Sequence, residues 1–315
     1  MSILVGRDSR ILIQGITGVT GRIYAERMLA WDTPLVGGVT PGRGGQEVCG
    51  VPVFDSVREA VAATGATAML SVVPPAHALD AFYEAAEGGL RLVVVYIEGV
   101  PIHDAVRMRA YAAARGTRLI GPNAAGVVSP GRANLSDLND ANLAPGRIGI
   151  VSKSGTLTYE VIEGLHRYGL GESTVVCIGG DPVVGTSYAD VLPLFEEDPD
   201  TDLVVLIGEL GGHLEYGALR VVGTMRTPVV AYITGLQAPS EKRMGHAGAI
   251  SGGAGTATAR AKGAAFGEAK CAVAPLVTEV APLVAATLGI GAPRTASVAS
   301  QSSDFSGAGA TAEGA

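Results

Sequence analysis

Short, continuous apolar runs alternate with helical stretches along this chain, and the alternation occurs twice. Strands are predicted at residues 10–14, 35–39, 68–73, 90–97 and 118–120, with helices at 23–30, 56–63, 78–87 and 102–115 between them. A strand that is apolar on both faces must be covered on both faces, so this pattern predicts a parallel sheet sandwiched by helices. A second α/β pattern starts with the strand at 147–151 and continues with strands at 173–178, 203–207 and 228–233. Its helices are predicted at 157–168, 189–196, 215–225 and 276–288. The intervening stretch is rich in Gly, Pro, Asn and Asp and reads as a connector. The organisation expected is a first α/β domain at 1–122, a connector at 123–146, a second α/β domain at 147–290 and a disordered tail at 291–315. The tail is Ser, Ala, Gly and Thr, which bury too little surface to offset ordering entropy.

Composition narrows the function. The chain has 315 residues, 47% of them hydrophobic, which supplies ample core, and its 45 glycines suit many tight βα turns. A net charge of −7 argues against a nucleic-acid binder, which carries a basic surface. Cys49, Cys177 and Cys271 are far apart, without metal-ligand spacing, and suit a reducing cytoplasm. No metal site is expected. The apolar N-terminal run is too short for a signal sequence, and no run reaches the roughly 18 residues of a membrane span.

Two strand-to-helix turns carry chemistry. The first is Gly15-Ile16-Thr17-Gly18-Val19-Thr20-Gly21. Glycines between a strand and a helix let backbone N–H groups close around a phosphate at the positive helix end. The alternative is a tight turn that binds nothing. The spacing differs from the dinucleotide fingerprint, and the following strand ends in Thr40-Pro41-Gly42-Arg43 where a dinucleotide site wants a carboxylate. A cation there favours a ligand with an extra phosphate on its adenosine, either coenzyme A or NADP. The second turn, Ser152-Lys153-Ser154-Gly155-Thr156, gathers hydroxyls and free N–H groups at a helix start and suits a phosphohistidine or a carboxylate. A hydroxyl-capped helix and nothing more is the competing reading.

His246 stands among Gly245, Ala247 and Gly248, with Lys242 and Arg243 beside it. A histidine that carries a phosphoryl group needs an exposed ring nitrogen, room for a dianion and nearby positive charge. The bland alternative is a solvated loop residue. Glu209 ends an apolar strand, where α/β folds place their sites, and can hydrogen-bond one nitrogen of His246 while the other stays nucleophilic. His77, His103 and His166 read as helix-surface residues, His213 as a neighbour of the Gly211-Gly212 turn, and Cys177 as a packed core residue.

These segments, in this order, resemble the α subunits of the succinate–CoA ligase (succinyl-CoA synthetase) family over residues 2 to about 290. The matching stretches include Gln14-Gly15-Ile16-Thr17-Gly18, Gly37-Gly38-Val39-Thr40-Pro41-Gly42-Arg43-Gly44-Gly45 and Ile120-Gly121-Pro122-Asn123. They continue through Gly149-Ile150-Val151-Ser152-Lys153-Ser154-Gly155-Thr156, Gly208-Glu209-Leu210-Gly211-Gly212 and Arg243-Met244-Gly245-His246-Ala247-Gly248-Ala249-Ile250. The resemblance implies a Rossmann-like CoA-binding domain followed by a flavodoxin-like ligase domain. It implies that His246 is phosphorylated and Glu209 supports it. It implies CoA contacts at Thr17, Gly18, Val19, Thr20, Arg43, Tyr96, Ile97 and Glu98, and an acid-substrate contact at Tyr159. Ser154, Gly155 and Thr156 would cradle the phosphoryl group. A larger ATP-grasp β subunit would hold Mg-ATP or Mg-GTP, and the acid would be a dicarboxylate.

The chain departs from the family in four places. Ala124-Ala125 stand where the family has Cys-Pro, and the stretch 133–144 differs from the usual loop. The loop after His246 is one residue shorter, with Ala254 in place of a lysine, and Arg43 replaces a lysine. These departures keep a malate or other dicarboxylate ligase in view, and also a CoA-binding regulator without catalysis. An NADP oxidoreductase would leave the His246 loop unexplained.

Overall fold

The polypeptide opens with β1 (Ile11–Gln14), α1 (Val19–Ala30) and β2 (Leu35–Val39). A two-strand ribbon follows, β3 (Glu47–Val48) and β4 (Val51–Phe54). Then come α2 (Val57–Thr64), β5 (Ala68–Ser71), α3 (Ala78–Glu87), β6 (Leu92–Val95), α4 (Ile102–Arg115) and β7 (Arg118–Ile120). Local chemistry sets the helix ends. Ser56 Oγ accepts the Glu59 N–H at 3.3 Å to start α2, and Gly65 stops it at φ 66°, a conformation that costs glycine least. The coordinates are a computed structural model describing residues 2–238, 245–250, 255–269 and 271–291.

The first sheet has seven strands in the order β3-β4-β2-β1-β5-β6-β7, parallel except for the β3–β4 ribbon. β1, β5 and β6 are buried at every position, as expected for a sheet covered on both faces. The order reverses at β1, so the crevice beyond the C-terminal ends of β1, β2 and β5 is a topological switch point.

The stretch 123–146, expected as a connector, instead carries two strands, β8 (Gly126–Ser129) and β9 (Ala133–Ser136). They form an antiparallel hairpin that extends the second sheet. Their polar residues hid them: Ser129, Asn134 and Ser136 are buried, with their polar groups bonded inside the fold. The chain continues with β10 (Pro145–Ser152), α5 (Gly155–His166), β11 (Glu172–Cys177), α6 (Tyr188–Glu197), β12 (Leu203–Glu209), α7 (Leu214–Val222) and β13 (Val229–Thr234). The last elements among the described residues are α8 (Ala259–Glu268), β14 (Ala272–Ala274) and α9 (Val280–Thr287).

The second sheet has the order β14-β13-β12-β10-β11-β8-β9. One buried apolar cluster holds Ile13 and Leu70 of the first sheet together with Val151, Val176 and Phe195 of the second part, so the two halves share core. Residues 292–315, read from the sequence as a tail, lie outside the described residues, as do Lys242, Arg243 and Ala254.

Candidate functional site

β10 and β12 are parallel neighbours, with Ser152 opposite Ile207, so Lys153 and Glu209 emerge side by side at the C-terminal edge of the sheet. Lys153 Nζ lies 2.7 Å from Glu209 Oε1, with the two side chains 3% and 6% exposed. The other carboxylate oxygen, Oε2, is 2.7 Å from His246 Nδ1. With Nδ1 held, Nε2 is the nitrogen left for chemistry, and the imidazole keeps 29% of its side-chain surface open. Burial alone would raise the Glu209 carboxyl, but the hydrogen bond from His246 and the charge of Lys153 outweigh it and hold Glu209 below the ordinary carboxylate range. The same hydrogen bond raises His246 above an ordinary histidine, against the opposing pull of burial and Lys153.

The imidazole rests on bare backbone. A Cβ on Gly180 would lie 2.5 Å from both Cγ and Cδ2 of His246, which explains a glycine there. Below it, the Gly-Pro-Asn segment stitches the two halves together. The Gly121 N–H donates to Ile178 O at 3.1 Å, and the Asn123 N–H donates to Ile97 O at 3.0 Å. Asn123 O accepts the Gly180 N–H at 3.0 Å, and Asn123 Nδ2 donates to Asp181 Oδ1 at 3.1 Å. Tyr96, Ile97 and Glu98 are thereby brought beside the loop that supports His246. Burial raises the Asp181 carboxyl, the Asn123 amide opposes that rise, and the charge of Glu98 adds to it.

A buried ion pair brackets Glu209, and the sequence reading missed it. Lys262 is 0% exposed, and its Nζ donates to Glu209 O at 2.7 Å and to Gly211 O at 2.5 Å while pairing with Glu215 Oε2. Glu215 Oε1 accepts the Glu209 N–H at 3.1 Å. Both backbone groups of the residue that holds His246 are therefore fixed by one pair. A signal existed: Ala259, Lys262 and Phe266 share the buried stripe of α8, so a lysine stood at an apolar helical period.

The turn after β1 is built differently. Gly18 is the N-cap of α1 and no side chain caps that helix, so its first N–H groups lack partners from the helix itself. Gly21 is required: a Cβ there would lie 2.3 Å from Gly15 O. Thr17, Gly18, Val19 and Thr20 line a cleft of about 660 Å3 together with Val39, Thr40, Pro41, Val72 and Pro74. Val19 is 78% exposed. Arg43 is exposed on the turn just beyond Pro41, its N–H bonded to Thr40 O at 3.1 Å. Tyr96 packs edge-on against Tyr24 of α1, ring centroids 5.3 Å apart.

At the second turn, Ser154 Oγ accepts the Leu157 N–H at 3.3 Å, so Ser154 is the N-cap of α5 and keeps its O–H proton for another acceptor. Gly155 and Thr156 carry first-turn N–H groups with no partner within the helix. The Tyr159 hydroxyl accepts the Asn139 N–H at 2.7 Å and donates to Asp137 O at 3.1 Å, which ties α5 to the loop after β9. His213 Nε2 lies 3.3 Å from Thr256 Oγ1, where the chain returns from the His246 loop. His77 and His103 are exposed, whereas His166 is half-buried with Nε2 3.0 Å from Glu172 Oε1. Cys177 is buried in the core. Among the described residues no helix is long and apolar enough to cross a membrane.

Comparison with known proteins gives this geometry a context. A family model for a CoA binding domain matches residues 6–99, and a CoA-ligase model matches residues 151–272. The chain is 48% identical over 286 residues to succinate–CoA ligase [ADP-forming] subunit alpha 2 of Archaeoglobus fulgidus, covering 89% of this chain and 100% of that protein. It is 46% identical to the malate–CoA ligase subunit alpha of Methylorubrum extorquens, covering 82% of this chain and 89% of that one. The fold matches that of ATP citrate lyase from Methanothrix soehngenii, solved with citrate and coenzyme A, at a TM-score of 0.82 and 26% identity. That match covers 93% of this chain and 52% of the lyase, so this chain spans about half of the longer protein. The chain belongs to the succinate–CoA ligase α-subunit family, with a CoA binding domain followed by a CoA-ligase domain, and is on that ground a subunit of an acid–thiol ligase.

Proposed function

We propose that this chain is the α subunit of a nucleoside-triphosphate-dependent succinate–CoA ligase and that His246 is its phosphoryl carrier. The observation that carries the reading is the Lys153–Glu209–His246 array. Glu209 fixes Nδ1 and stabilises positive charge on the ring, while Nε2 remains directed away from the carboxylate. The Nε2 lone pair attacks the γ-phosphorus of a nucleoside triphosphate, the bond to the leaving diphosphate breaks, and phosphohistidine forms. A succinate oxygen then takes the phosphoryl group, giving an acyl phosphate and restoring the imidazole. The CoA thiolate attacks the acyl carbon and phosphate departs. Splitting one difficult acyl transfer into these steps is the benefit of a covalent carrier.

The roles of the other residues follow. The first-turn N–H groups of Gly155 and Thr156, with the Ser154 hydroxyl, are suited to hold a phosphoryl dianion by charge and helix dipole. Thr17, Gly18, Val19 and Thr20 take the CoA diphosphate at the uncapped start of α1. Arg43 meets the phosphate on the adenosine, and Tyr96, Ile97 and Glu98 flank the cofactor's path towards His246. Tyr159 contacts the acid. The nucleotide, as Mg-ATP or Mg-GTP, is held by an ATP-grasp β subunit. The malate–CoA ligase α subunit in the same similarity range supports malate as the second substrate to test.

The deciding experiment is phosphorylation of His246. The chain is purified with its co-expressed β partner, given Mg-ATP, and examined for acid-labile phosphate by intact mass, with His246→Asn as control. Phosphate that is absent in the variant and discharged by succinate plus CoA supports the proposal. Discharge by malate plus CoA and not by succinate moves the assignment to a malate ligase. No phosphate from ATP or GTP in an assembled complex sinks the catalytic reading and leaves a CoA-binding regulator.

A further inference from the structure

At the edge of the first sheet opposite the glycine turn lies a second cleft, of about 600 Å3. One wall is the starting ends of β5, β6 and β7, where Thr67, Arg91 and Arg118 stand. The other wall is the N-terminal segment 2–9, with Arg132 entering from the β8–β9 turn. That segment is fastened to the second sheet: the Ile3 N–H donates to Thr174 Oγ1 at 3.4 Å, and Ser129 Oγ donates to Val5 O at 3.0 Å. The cleft therefore straddles the seam between the two halves, at the end away from His246.

Its charge is unusual for this chain. Arg7, Arg91, Arg118 and Arg132 line it, against the single carboxylate of Asp8. Arg132 pairs with Asp200 at 3.2 Å, and Arg7 Nη2 donates to Gly131 O at 2.9 Å, which fixes both guanidinium groups in place. Among the described residues, Arg91 and Arg118 pair with no carboxylate, although the chain carries 30 acidic residues against 23 basic ones. Their backbones are directly bonded, the Arg118 N–H donating to Arg91 O at 2.8 Å, so the two residues stand at the starting ends of neighbouring strands, and both line the cleft. A guanidinium fork matches carboxylate and phosphate oxygens pairwise, so arginines without a carboxylate partner lining one cleft suit an oxyanion. The volume lies within the range of small-molecule sites, about 300–1,000 Å3.

We propose that this cleft is a second binding site, for a small multivalent oxyanion carrying phosphate or carboxylate groups. A bound anion joins Arg91 and Arg118 of the first sheet to Arg7 and Arg132, which belong to elements fastened to the second. It thus holds the seam closed from the far end, without touching the glycine turn or His246. The site goes beyond the ligase reading and does not require it.

The test is calorimetric titration of the full chain with sodium pyrophosphate and, separately, with citrate. Wild type is compared with Arg91→Gln/Arg118→Gln and, as a control at an exposed arginine of α2, Arg58→Gln. Both arginines in the pair are at the surface or half-buried, and circular dichroism with a melting curve checks the fold. The expected result is binding of at least one anion to wild type and Arg58→Gln alike, weakened at least tenfold in the double variant and partly restored by Arg91→Lys/Arg118→Lys. Binding of pyrophosphate alone points to a phosphate ligand, and of citrate alone to a carboxylate. Equal binding to wild type and the double variant, or none to wild type, overturns the site. His246 phosphorylation measured on the same variants co-purified with the β partner separates the two proposals, because absence of phosphohistidine in that complex with intact anion binding condemns the ligase reading alone.

Discussion

Helix α1 begins without any side-chain cap, whereas helix α5, at the equivalent place after its own strand, begins under the hydroxyl of Ser154. The first turn is glycine and backbone, open to an apolar cleft. The second is filled by side chains: Ser152 Oγ bonds both the N–H and the C=O of Ser154, and Lys153 reaches across to Glu209. A ligand that brings its own negative charge needs unsatisfied donors and room. A side chain that must itself change charge needs partners that do not move, because reorganising them during the reaction would cost energy. On the proposed reading the same strand–turn–helix frame serves both tasks, and the residues in the turn decide which.

The comparison is broken most forcefully at Lys262. In Lys262→Met, Glu215, 1% exposed, is left buried without its cation. Breaking such a pair costs about 3–5 kcal/mol. The urea midpoint is expected to fall accordingly and phosphate uptake by His246 to slow, while Lys262→Met/Glu215→Gln recovers most of the stability. An unchanged midpoint in the single variant means the bracket does not hold Glu209.

Next is Glu209→Gln. Its hydrogen bond raises His246, so in the wild type the neutral, nucleophilic ring appears as pH rises through a value above the ordinary histidine value of about 6.5. Removing the carboxylate lowers that value, and the acid limb of the phosphorylation rate is expected to move to lower pH. The plateau should drop about 10–100-fold, the equivalent of a charge-assisted hydrogen bond of about 1.5–3 kcal/mol. A pH–rate profile of phosphohistidine formation checks both, and an acid limb that stays in place contradicts the role given to Glu209.

Gly21→Ala acts on the other turn. The new Cβ would sit 2.6 Å from Ile16 Cα, an overpacking worth about 1–3 kcal/mol. CoA binding by calorimetry is expected to weaken at least tenfold, with phosphate uptake from ATP preserved. Loss of both functions together would mean that the two turns are not independent. Ser154→Ala is the mildest change. Loss of the cap costs about 1 kcal/mol, and the melting temperature should fall by about 2–4 °C with CoA affinity intact.

Much of the fold was legible because strands buried on both faces leave unbroken apolar runs. β1, β2, β11 and β12 stand within a few residues of their expected positions. Most of the strands that escaped were short or polar. β3 has two residues, and β8 and β9 carry buried Ser and Asn whose partners are distant in the chain. α8 escaped because Lys262 interrupts its apolar stripe, and the lysine is buried by a glutamate 47 positions away. Of the candidate site, the glycine turn was readable because it is one contiguous segment. Glu209 was readable as a strand-end carboxylate, but Lys153 as its counter-charge and Gly180 as the floor under the imidazole were not.

Local sequence determined what depends on neighbours along the chain: periodicity of burial, the glycines that permit a close turn at 15–21, and the small residues around His246. Tertiary structure decided which charges meet. The Glu209–His246 bond spans 37 positions, and Lys153 joins it because β10 lies next to β12 in the sheet. The seam at Asn123 likewise needs Ile97 and Gly180 to arrive from different halves. Strand order and cross-domain contacts arise from packing the whole apolar core, and a run of adjacent residues carries no record of them.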